Sequence, residues 1–211
     1  ILACFRISSR SMPATPESFF AAKAFAIAGI EREEILKQAK IVILNHIKNG
    51  TTLRDVIFKL QEIFKPYVLS GEVQDGQVLT PARLENIVRT NVSEAYNEAR
   101  KATFRDPEVA DFVPAYQYSA ILDQRTTPFC RGWDGYVALA TDPVWDRVTP
   151  PNHFMCRSIL VPVTAQEAYT LSPKQPAEEP QKGFYSHGHD HYWTEYWERV
   201  DSTAKELMDR V

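Results

Sequence analysis

The chain of 211 residues has only three cysteines, and they do not show the paired spacing of a disulfide-rich domain. The sequence therefore favours reduced thiols in an intracellular setting. No long apolar run is present at the start either, because the five opening apolar residues are followed by Arg6. This stretch is too short for a signal peptide or a membrane segment, so we expect neither. The chain begins without Met, which suggests a fragment, a processed product or the ordered part of something longer.

An excess of charge is also lacking, since 24 Lys and Arg residues stand against 27 Asp and Glu residues, a net charge of −3. A DNA-binding surface normally appears as a clustered excess of basic residues. The composition therefore gives no argument for nucleic-acid binding, although a local basic face stays open. The apolar and charged fractions are those of an ordinary globular protein, and we find no internal repeat.

The first half of the chain has the periodicity of helices. After an irregular arm over residues 1–16, we predict helices over residues 17–30, 31–49, 51–65 and 81–103. Asn49-Gly50 is a stop signal and Thr80-Pro81 a start signal, while Pro66 is expected to end the third helix. The buried side of the fourth helix is predicted to consist of Leu84, Ile87, Val88, Val92, Ala95, Tyr96 and Ala99.

Beyond Pro107 the pattern changes to strands and turns. Residues 113–121 and 158–163 are predicted strands, and Pro162 indicates an edge position or a strand end. We therefore predict an α+β fold, in which an N-terminal helical unit packs with a small antiparallel sheet carrying long loops. Residues 165–183 are predicted to form an extended linker. Residues 184–211 are predicted to form an aromatic-rich tail with a helix over residues 194–210.

A set of motifs occurs in fixed order between residues 118 and 163. They are Asp123-Gln124-Arg125-Thr126, Cys130, Asp134-Gly135, Pro150-Pro151-Asn152-His153, Cys156-Arg157-Ser158 and Leu160-Val161-Pro162-Val163. Together they resemble the signature of the phage Mu F-like minor head proteins, a family that includes head morphogenesis proteins of tailed phages. Upstream, Arg89-Thr90 and Ala95-x-Asn97-Glu98-Ala99-Arg100 look like the helix that precedes this signature. The resemblance implies one domain over residues 17–164, helical over 17–104 and followed by a signature region over 105–164.

The resemblance implies a minor capsid protein of a tailed bacteriophage and not an enzyme. Such a protein is expected in the virion, inside the head and near the portal, after assembly in the host cytoplasm. Its partners would be the portal protein and other head proteins, with packaged DNA close by. Its role would lie in head assembly and in DNA packaging or delivery through protein contacts. Three alternatives stay open: a delivery module of a phage effector, a Cys/His-dependent enzyme, and a protein that contacts DNA directly.

Cys130, His153 and Cys156 are the sharpest chemical constellation in the sequence. Thiolate and imidazole are preferred ligands of zinc, and a zinc ion would stabilise a loop-rich region. Asp123 and Asp134 are the candidates for a fourth ligand. Alternatively, the cysteines are buried and His153 bonds to a backbone carbonyl, which is the interpretation that the sequence favours. In a third interpretation, His153 activates Cys130 or Cys156 as a nucleophile.

Asp123, Arg125, Thr126, Asp134 and Arg157 are interpreted as structural parts of the signature. An arginine held by a carboxylate can tie two loops together through paired hydrogen bonds. We therefore expect at least one Asp–Arg pair between the Asp-x-Arg-Thr turn and the Cys-Arg-Ser strand. The alternative is that the arginines bind phosphate.

The tail carries a second candidate metal site at His187, His189 and His191. Short His-rich tracts bind divalent metals, but they also occur as solvated loops. An aromatic stripe follows and is a candidate partner-binding surface: Trp193, Tyr196 and Trp197. Such rings either dock on the chain's own core or insert into a neighbouring subunit.

Overall fold

The computed structural model describes residues 15–22, 25, 32–70, 80–181 and 184. It has the predicted α+β architecture, with helices first and a small antiparallel sheet after them. Each half has a hydrophobic cluster of its own. Across the described ranges, no helix is both long enough and apolar enough to cross a membrane.

Four helices build the first half: α1 (Pro16–Ala22), α2 (Glu33–Asn49), α3 (Leu53–Leu69) and α4 (Pro81–Arg105). Gly50 ends α2 in the left-handed conformation, at φ +64°, which glycine adopts without a steric penalty. Thr52 and Thr80 cap α3 and α4, because their hydroxyl oxygens accept hydrogen bonds from the Asp55 and Arg83 amides. These three boundaries follow directly from local sequence signals.

The apolar faces of these helices meet in one core. Its most buried side chains include Phe20, Ile35, Ile43, Leu44, Leu60, Phe64 and Leu84. One buried cation is accommodated at its edge, where the Lys40 ammonium donates to the carbonyl of Ala21 over 2.7 Å. This bond joins α2 to the end of α1.

Two helix boundaries differ from the sequence prediction. The first helix was expected to run to residue 30, but it ends at Ala22 and Phe25 lies outside it. The Phe25 ring packs edge-on against Phe20 with centroids 5.8 Å apart, so this residue contributes to the core from outside the helix. The third helix was expected to stop before Pro66 but runs through it to Leu69. The carbonyl that loses its donor belongs to Glu62, an exposed residue, while Tyr67 and Val68 of the added turn pack on the core.

The buried side of α4 also differs in its second half. Tyr96 was predicted to be buried but is 46% exposed. Asn97 is buried in its place, and its amide nitrogen lies 3.4 Å from the Ser158 carbonyl. Arg100 similarly reaches the Leu160 carbonyl at 3.4 Å. This part of α4 therefore packs against polar backbone of the sheet half, which an apolar stripe does not predict.

The second half contains α5 (Pro107–Ala110), β1 (Ala115–Ser119), α6 (Pro128–Trp133), β2 (Val137–Leu139), α7 (Val144–Val148) and β3 (Ile159–Val163). The sheet order is β2-β1-β3, and both pairings are antiparallel. Tyr116 lies opposite Ala138 on one side and Pro162 on the other. β1 and β3 fall within the predicted strands, and Pro162 lies on an edge strand as predicted. β2 and α6 were not predicted.

Residues 165–181, called the strap below, contain no helix or strand but lie against the sheet half. Ser172 exchanges two 2.9 Å hydrogen bonds with the backbone of Val137. The Trp133 indole donates to the Glu178 carbonyl at 2.8 Å, and the Gln181 amide donates to the Asn152 carbonyl at 2.9 Å. The segment predicted as an extended linker is therefore attached along its length.

Candidate functional site

Cys130 is positioned by the short helix α6. Thr127 caps this helix, and its hydroxyl accepts a hydrogen bond from the Cys130 amide at 3.3 Å. The adjacent Pro128 is a favoured first residue, so Thr127-Pro128 repeats the start signal of α4. The cap fixes Cys130 in the first turn, where its sulfur lies 3.3 Å from the Tyr118 hydroxyl of β1.

His153 and Cys156 come from the turn that follows the cis peptide bond between Pro150 and Pro151. The turn is closed by a hydrogen bond of 3.3 Å from the Cys156 amide to the His153 carbonyl. Met155 within it adopts the left-handed conformation, at φ +60°, and its amide contacts the Thr90 hydroxyl of α4 at 3.3 Å. The turn is therefore fastened to the helical half.

These elements bring the three predicted ligand residues together. Cys130 Sγ lies 3.0 Å from His153 Nε2 and 3.8 Å from Cys156 Sγ. The three ligand atoms all lie within 4.8 Å of one another. Both cysteines are buried, with Cys130 only 3% exposed, and His153 Nδ1 lies 2.8 Å from the Phe154 carbonyl. The three side chains therefore lie together, as the metal-site interpretation expects. The thiols are also buried and the histidine also bonds to a backbone carbonyl, as the interpretation without a metal expects.

The three side chains influence one another's protonation. The hydrogen bond from Cys156, then that of His153, holds the pKa of Cys130 well below its ordinary value, although burial acts in the opposite direction. The same hydrogen bond and burial raise the pKa of Cys156. Burial acts to lower the pKa of His153, but its hydrogen bonds to Cys130 and to the Phe154 carbonyl raise it overall. A thiolate on Cys130 is therefore favoured, and a thiolate can serve as a metal ligand or a nucleophile.

Two buried polar residues beside the cluster were not predicted as site residues. They are Tyr118 and Asn152. Burial is the largest of the effects that raise the pKa of the Tyr118 phenol, and the nearby sulfurs of Cys130 and Cys156 act in the same direction. Asn152 donates to the Val148 carbonyl at 2.7 Å and to the Tyr118 hydroxyl at 3.4 Å. Its amide oxygen is buried and has no hydrogen-bond partner among the described residues. Asn152 is the third residue of the Pro-Pro-x-His motif, and this place in the motif was the one sequence signal that could have identified it.

The expected Asp–Arg pair is present. Arg157 donates two hydrogen bonds to the carboxylate of Asp123, at 2.6 and 2.7 Å. Asp123 also accepts a 2.8 Å bond from the Arg125 amide, and its own amide donates to the Thr126 hydroxyl at 2.8 Å. The carboxylate therefore fastens the Asp-x-Arg-Thr turn to the segment that follows Cys156.

The candidate fourth ligands, Asp123 and Asp134, are not part of the cluster of Cys130, His153 and Cys156. Asp123 is held by Arg157, and Asp134 accepts a 2.8 Å hydrogen bond from the Ala120 amide at the end of β1. The described residues bring no fourth Cys, His, Asp or Glu to the three ligand atoms. That part of the sequence prediction was wrong, because both carboxylates have backbone or arginine partners.

A groove of about 540 Å³ runs between α4 and the signature region. Its lining includes the side chains of Arg89, Arg125 and Arg157, and Cys156 lies at its wall. Arg89 is paired with Glu85 and Arg157 with Asp123. The pairing of two of these three arginines favours the structural interpretation, and phosphate binding stays an alternative for Arg125.

The tail residues predicted as a second site lie outside the described residues. They are His187, His189, His191, Trp193, Tyr196 and Trp197. The same holds for most of the predicted N-terminal arm and for the predicted helix over residues 194–210.

The sequence profile of the family described as Phage Mu protein F like protein matches residues 30–161. This range covers more than half of the chain and includes Cys130, His153, Cys156 and the Asp123–Arg157 pair. The chain belongs to the Phage Mu protein F-like family. The strap lies beyond the range that the family profile matches.

Two curated relatives of this family member show clear similarity. The Mu-like prophage FluMu F protein of Haemophilus influenzae is 34% identical over 141 residues, which cover 64% of this chain and 34% of that protein. The putative capsid assembly protein F of Escherichia phage Mu is 28% identical over 145 residues, which cover 64% of this chain and 33% of that protein. The chain thus spans about a third of the length of these relatives. No solved structure gives a significant match.

Proposed function

We propose that this chain acts in the assembly of the head of a tailed bacteriophage, as a minor capsid protein associated with the portal inside the head. On this proposal it contributes to DNA packaging or delivery through protein contacts. The observation that carries the proposal is the family match over residues 30–161, joined by similarity to a relative named a capsid assembly protein.

The surface of the described residues supports a role carried by protein contacts. Large apolar side chains are exposed on both halves: Phe58, Leu69, Phe112, Ile121, Leu122 and Phe154. Of these, Ile121 and Leu122 are neighbours in the chain, and exposed apolar groups that lie together are typical of interaction sites. Ile121 and Leu122 directly precede Asp123, so the Asp123–Arg157 pair holds them on an anchored turn. The nearly balanced charge also favours protein partners over a broad contact with DNA.

One observation favours a different class of function, a Cys/His-dependent enzyme. The 3.0 Å contact between Cys130 Sγ and His153 Nε2 has the geometry of an activated nucleophile. Against it, the Cys130 sulfur is enclosed by Tyr118, His153 and Cys156, and only 3% of the residue is exposed. We therefore place no catalytic role in the proposal. Alkylation of Cys130 by iodoacetamide at pH 7 should be no faster than that of glutathione, and a much faster reaction would favour the enzyme.

The decisive experiment is complementation of a phage or prophage from which the gene has been deleted. The wild-type gene should restore infectious particles, and purified heads should contain its product together with the portal protein. Leu122→Asp should reduce incorporation into heads by about tenfold or more if this turn lies in a contact. Gln124→Asp is the matched control, because it adds the same charge at an exposed position two residues away. Normal, infectious heads in the absence of the gene would overturn the proposal.

A further inference from the structure

We propose that Cys130, His153 and Cys156 bind one zinc ion that fixes the signature region. The spacing of the two sulfurs is the first argument. Two zinc–sulfur bonds of about 2.3 Å at a tetrahedral angle place the sulfur atoms about 3.8 Å apart. The observed separation of Cys130 Sγ and Cys156 Sγ is 3.8 Å. A disulfide would need about 2.0 Å, so the two thiols are spaced for a shared ion.

The imidazole of His153 is oriented as a metal ligand would be. Its Nδ1 lies 2.8 Å from the Phe154 carbonyl, so this nitrogen carries a proton and donates it. In the neutral ring Nε2 then has a free lone pair, and Nε2 is the atom that faces Cys130 Sγ at 3.0 Å. Metal-bound histidines are held in this way by a carbonyl or carboxylate on the other nitrogen. A tetrahedral ion would place this nitrogen about 3.5 Å from the sulfur, so the ring would retreat by roughly half an ångström on loading.

The surroundings of the sulfurs also suit bound thiolates. The Tyr118 hydroxyl lies 3.3 Å from the sulfur of Cys130. Polar groups of this kind around ligand atoms hold the ligands in place and tune the ion.

The described residues supply three ligands, and a water molecule would complete the tetrahedron, as it does in catalytic zinc sites with three protein ligands. Cys156 lines the groove between α4 and the signature region, which offers an entry path for the ion. The buried oxygen of Asn152, without a partner among the described residues, is a candidate acceptor for such a water. Asn152 is linked to the cluster through the Tyr118 hydroxyl.

An ion at this point would join elements that share little regular structure. Cys130 belongs to α6, whereas His153 and Cys156 lie in the turn before β3, more than twenty residues along the chain. The ion would also lie next to β1 through Tyr118. Because the unfolded chain has no preformed site, the free energy of zinc binding would contribute directly to folding.

The test is the zinc content and zinc environment of the purified full chain, kept reduced and measured by plasma mass spectrometry and X-ray absorption. We expect about one zinc ion per chain, with two sulfur neighbours at about 2.3 Å and a nitrogen or oxygen shell at about 2.0–2.1 Å. The Cys130→Ser/Cys156→Ser variant should contain none. His153→Ala should weaken zinc binding by more than the 10–100-fold typical of changes around a site. His46→Ala is the matched control, since its Nδ1 also bonds to a backbone carbonyl, at 2.7 Å, but lies outside the cluster.

A second measurement keeps the proposal falsifiable if the variants fold poorly. The wild-type chain is freed of metal by a chelator and then titrated with zinc while its thermal midpoint is followed. A midpoint that rises with zinc concentration supports the site, because a ligand of the folded state stabilises it by mass action. No zinc in the purified chain and no response to micromolar zinc would overturn the proposal, as would zinc that persists in the double cysteine variant. If these results rule out the zinc site, the proposed role in head assembly is unaffected, because complementation tests that role separately.

Discussion

The guanidinium of Arg157 holds the carboxylate of Asp123 through two hydrogen bonds, at 2.6 and 2.7 Å. The two residues are 34 positions apart in the chain, so the pair closes the loop that contains α6, β2 and α7. Paired hydrogen bonds from a planar guanidinium fix orientation as well as distance. The pair therefore connects the turn bearing the exposed Ile121 and Leu122 to the segment that follows Cys156.

Replacing Arg157 by lysine should lower the thermal midpoint although the positive charge is kept. Lysine cannot reproduce the two parallel bonds to Asp123, because its ammonium is a single point donor. Thermal unfolding followed by circular dichroism measures the change. The control is Arg105→Lys, since Arg105 pairs with Asp146 through one longer contact of 3.4 Å between largely exposed side chains, and such pairs contribute little. Equal midpoints for both variants would show that the paired geometry is unimportant.

The contribution of Asp123 should depend on pH below about pH 4. The hydrogen bonds from Arg157, and then that from the Arg125 amide, hold the pKa of Asp123 well below its ordinary value, while desolvation opposes them. Because the pKa is lower in the folded state, the stabilisation is complete above the unfolded value of about 3.9. It is lost as the pH falls through the lower folded value. The midpoint difference between wild type and Asp123→Asn should therefore be constant from pH 7 to pH 5 and shrink towards pH 2. A difference that stays constant over the whole range would refute this assignment.

The sequence predicted the features that depend on neighbours in the chain. Gly50 and Thr80-Pro81 mark helix boundaries through their own backbone preferences, and the structure places the boundaries there. Pro66 shows the limit of such rules, because the effect of a proline depends on whether the freed carbonyl reaches solvent. That exposure is a property of the packed helix. Tyr96 shows the same limit, since the partner of the second half of α4 is the backbone of β3.

The candidate site was predictable in its chemistry but not in its connections. Cys130, His153 and Cys156 could be grouped because thiols and imidazole form a recognisable ligand set, and the structure brings them together. The prediction that Asp123 or Asp134 is a fourth ligand was wrong. The Asp123 carboxylate binds Arg157, and the Asp134 carboxylate accepts a hydrogen bond from the Ala120 amide. Tyr118 could not be chosen from the pattern of β1, in which it resembles any other buried strand residue.

Gly50 is predicted to be replaceable only at a cost to stability. Its φ of +64° disfavours residues with a side chain, yet among the described residues nothing beyond the adjoining backbone lies within 4 Å of the position a Cβ would take. The loss in Gly50→Ala is therefore conformational, about 1 kcal/mol. Gly50→Asn should lose less, because asparagine tolerates the left-handed conformation better than alanine. Urea unfolding of the three proteins gives the free energies, and an alanine variant as stable as wild type would contradict the prediction.

Trp133 is predicted to anchor the strap. Its indole N–H donates to the Glu178 carbonyl at 2.8 Å, and Trp133→Phe removes that donor. We expect a loss of about 1–3 kcal/mol in the free energy of unfolding, from the lost bond and the smaller ring. The freed strap should also be cut faster by trypsin after Lys174, by about tenfold for each 1.4 kcal/mol by which its opening becomes easier.

Trp145→Phe is the control for the strap prediction. Trp145 is also fully buried, and its indole donates at 2.8 Å to a backbone carbonyl, that of Leu139 in β2. It should therefore lose a similar amount of global stability without any direct effect on the strap. Under conditions in which both variants remain folded, cleavage after Lys174 should accelerate only in Trp133→Phe. Equal cleavage rates in the two variants would show that the strap is released by general destabilisation and that the Trp133–Glu178 bond does not hold it.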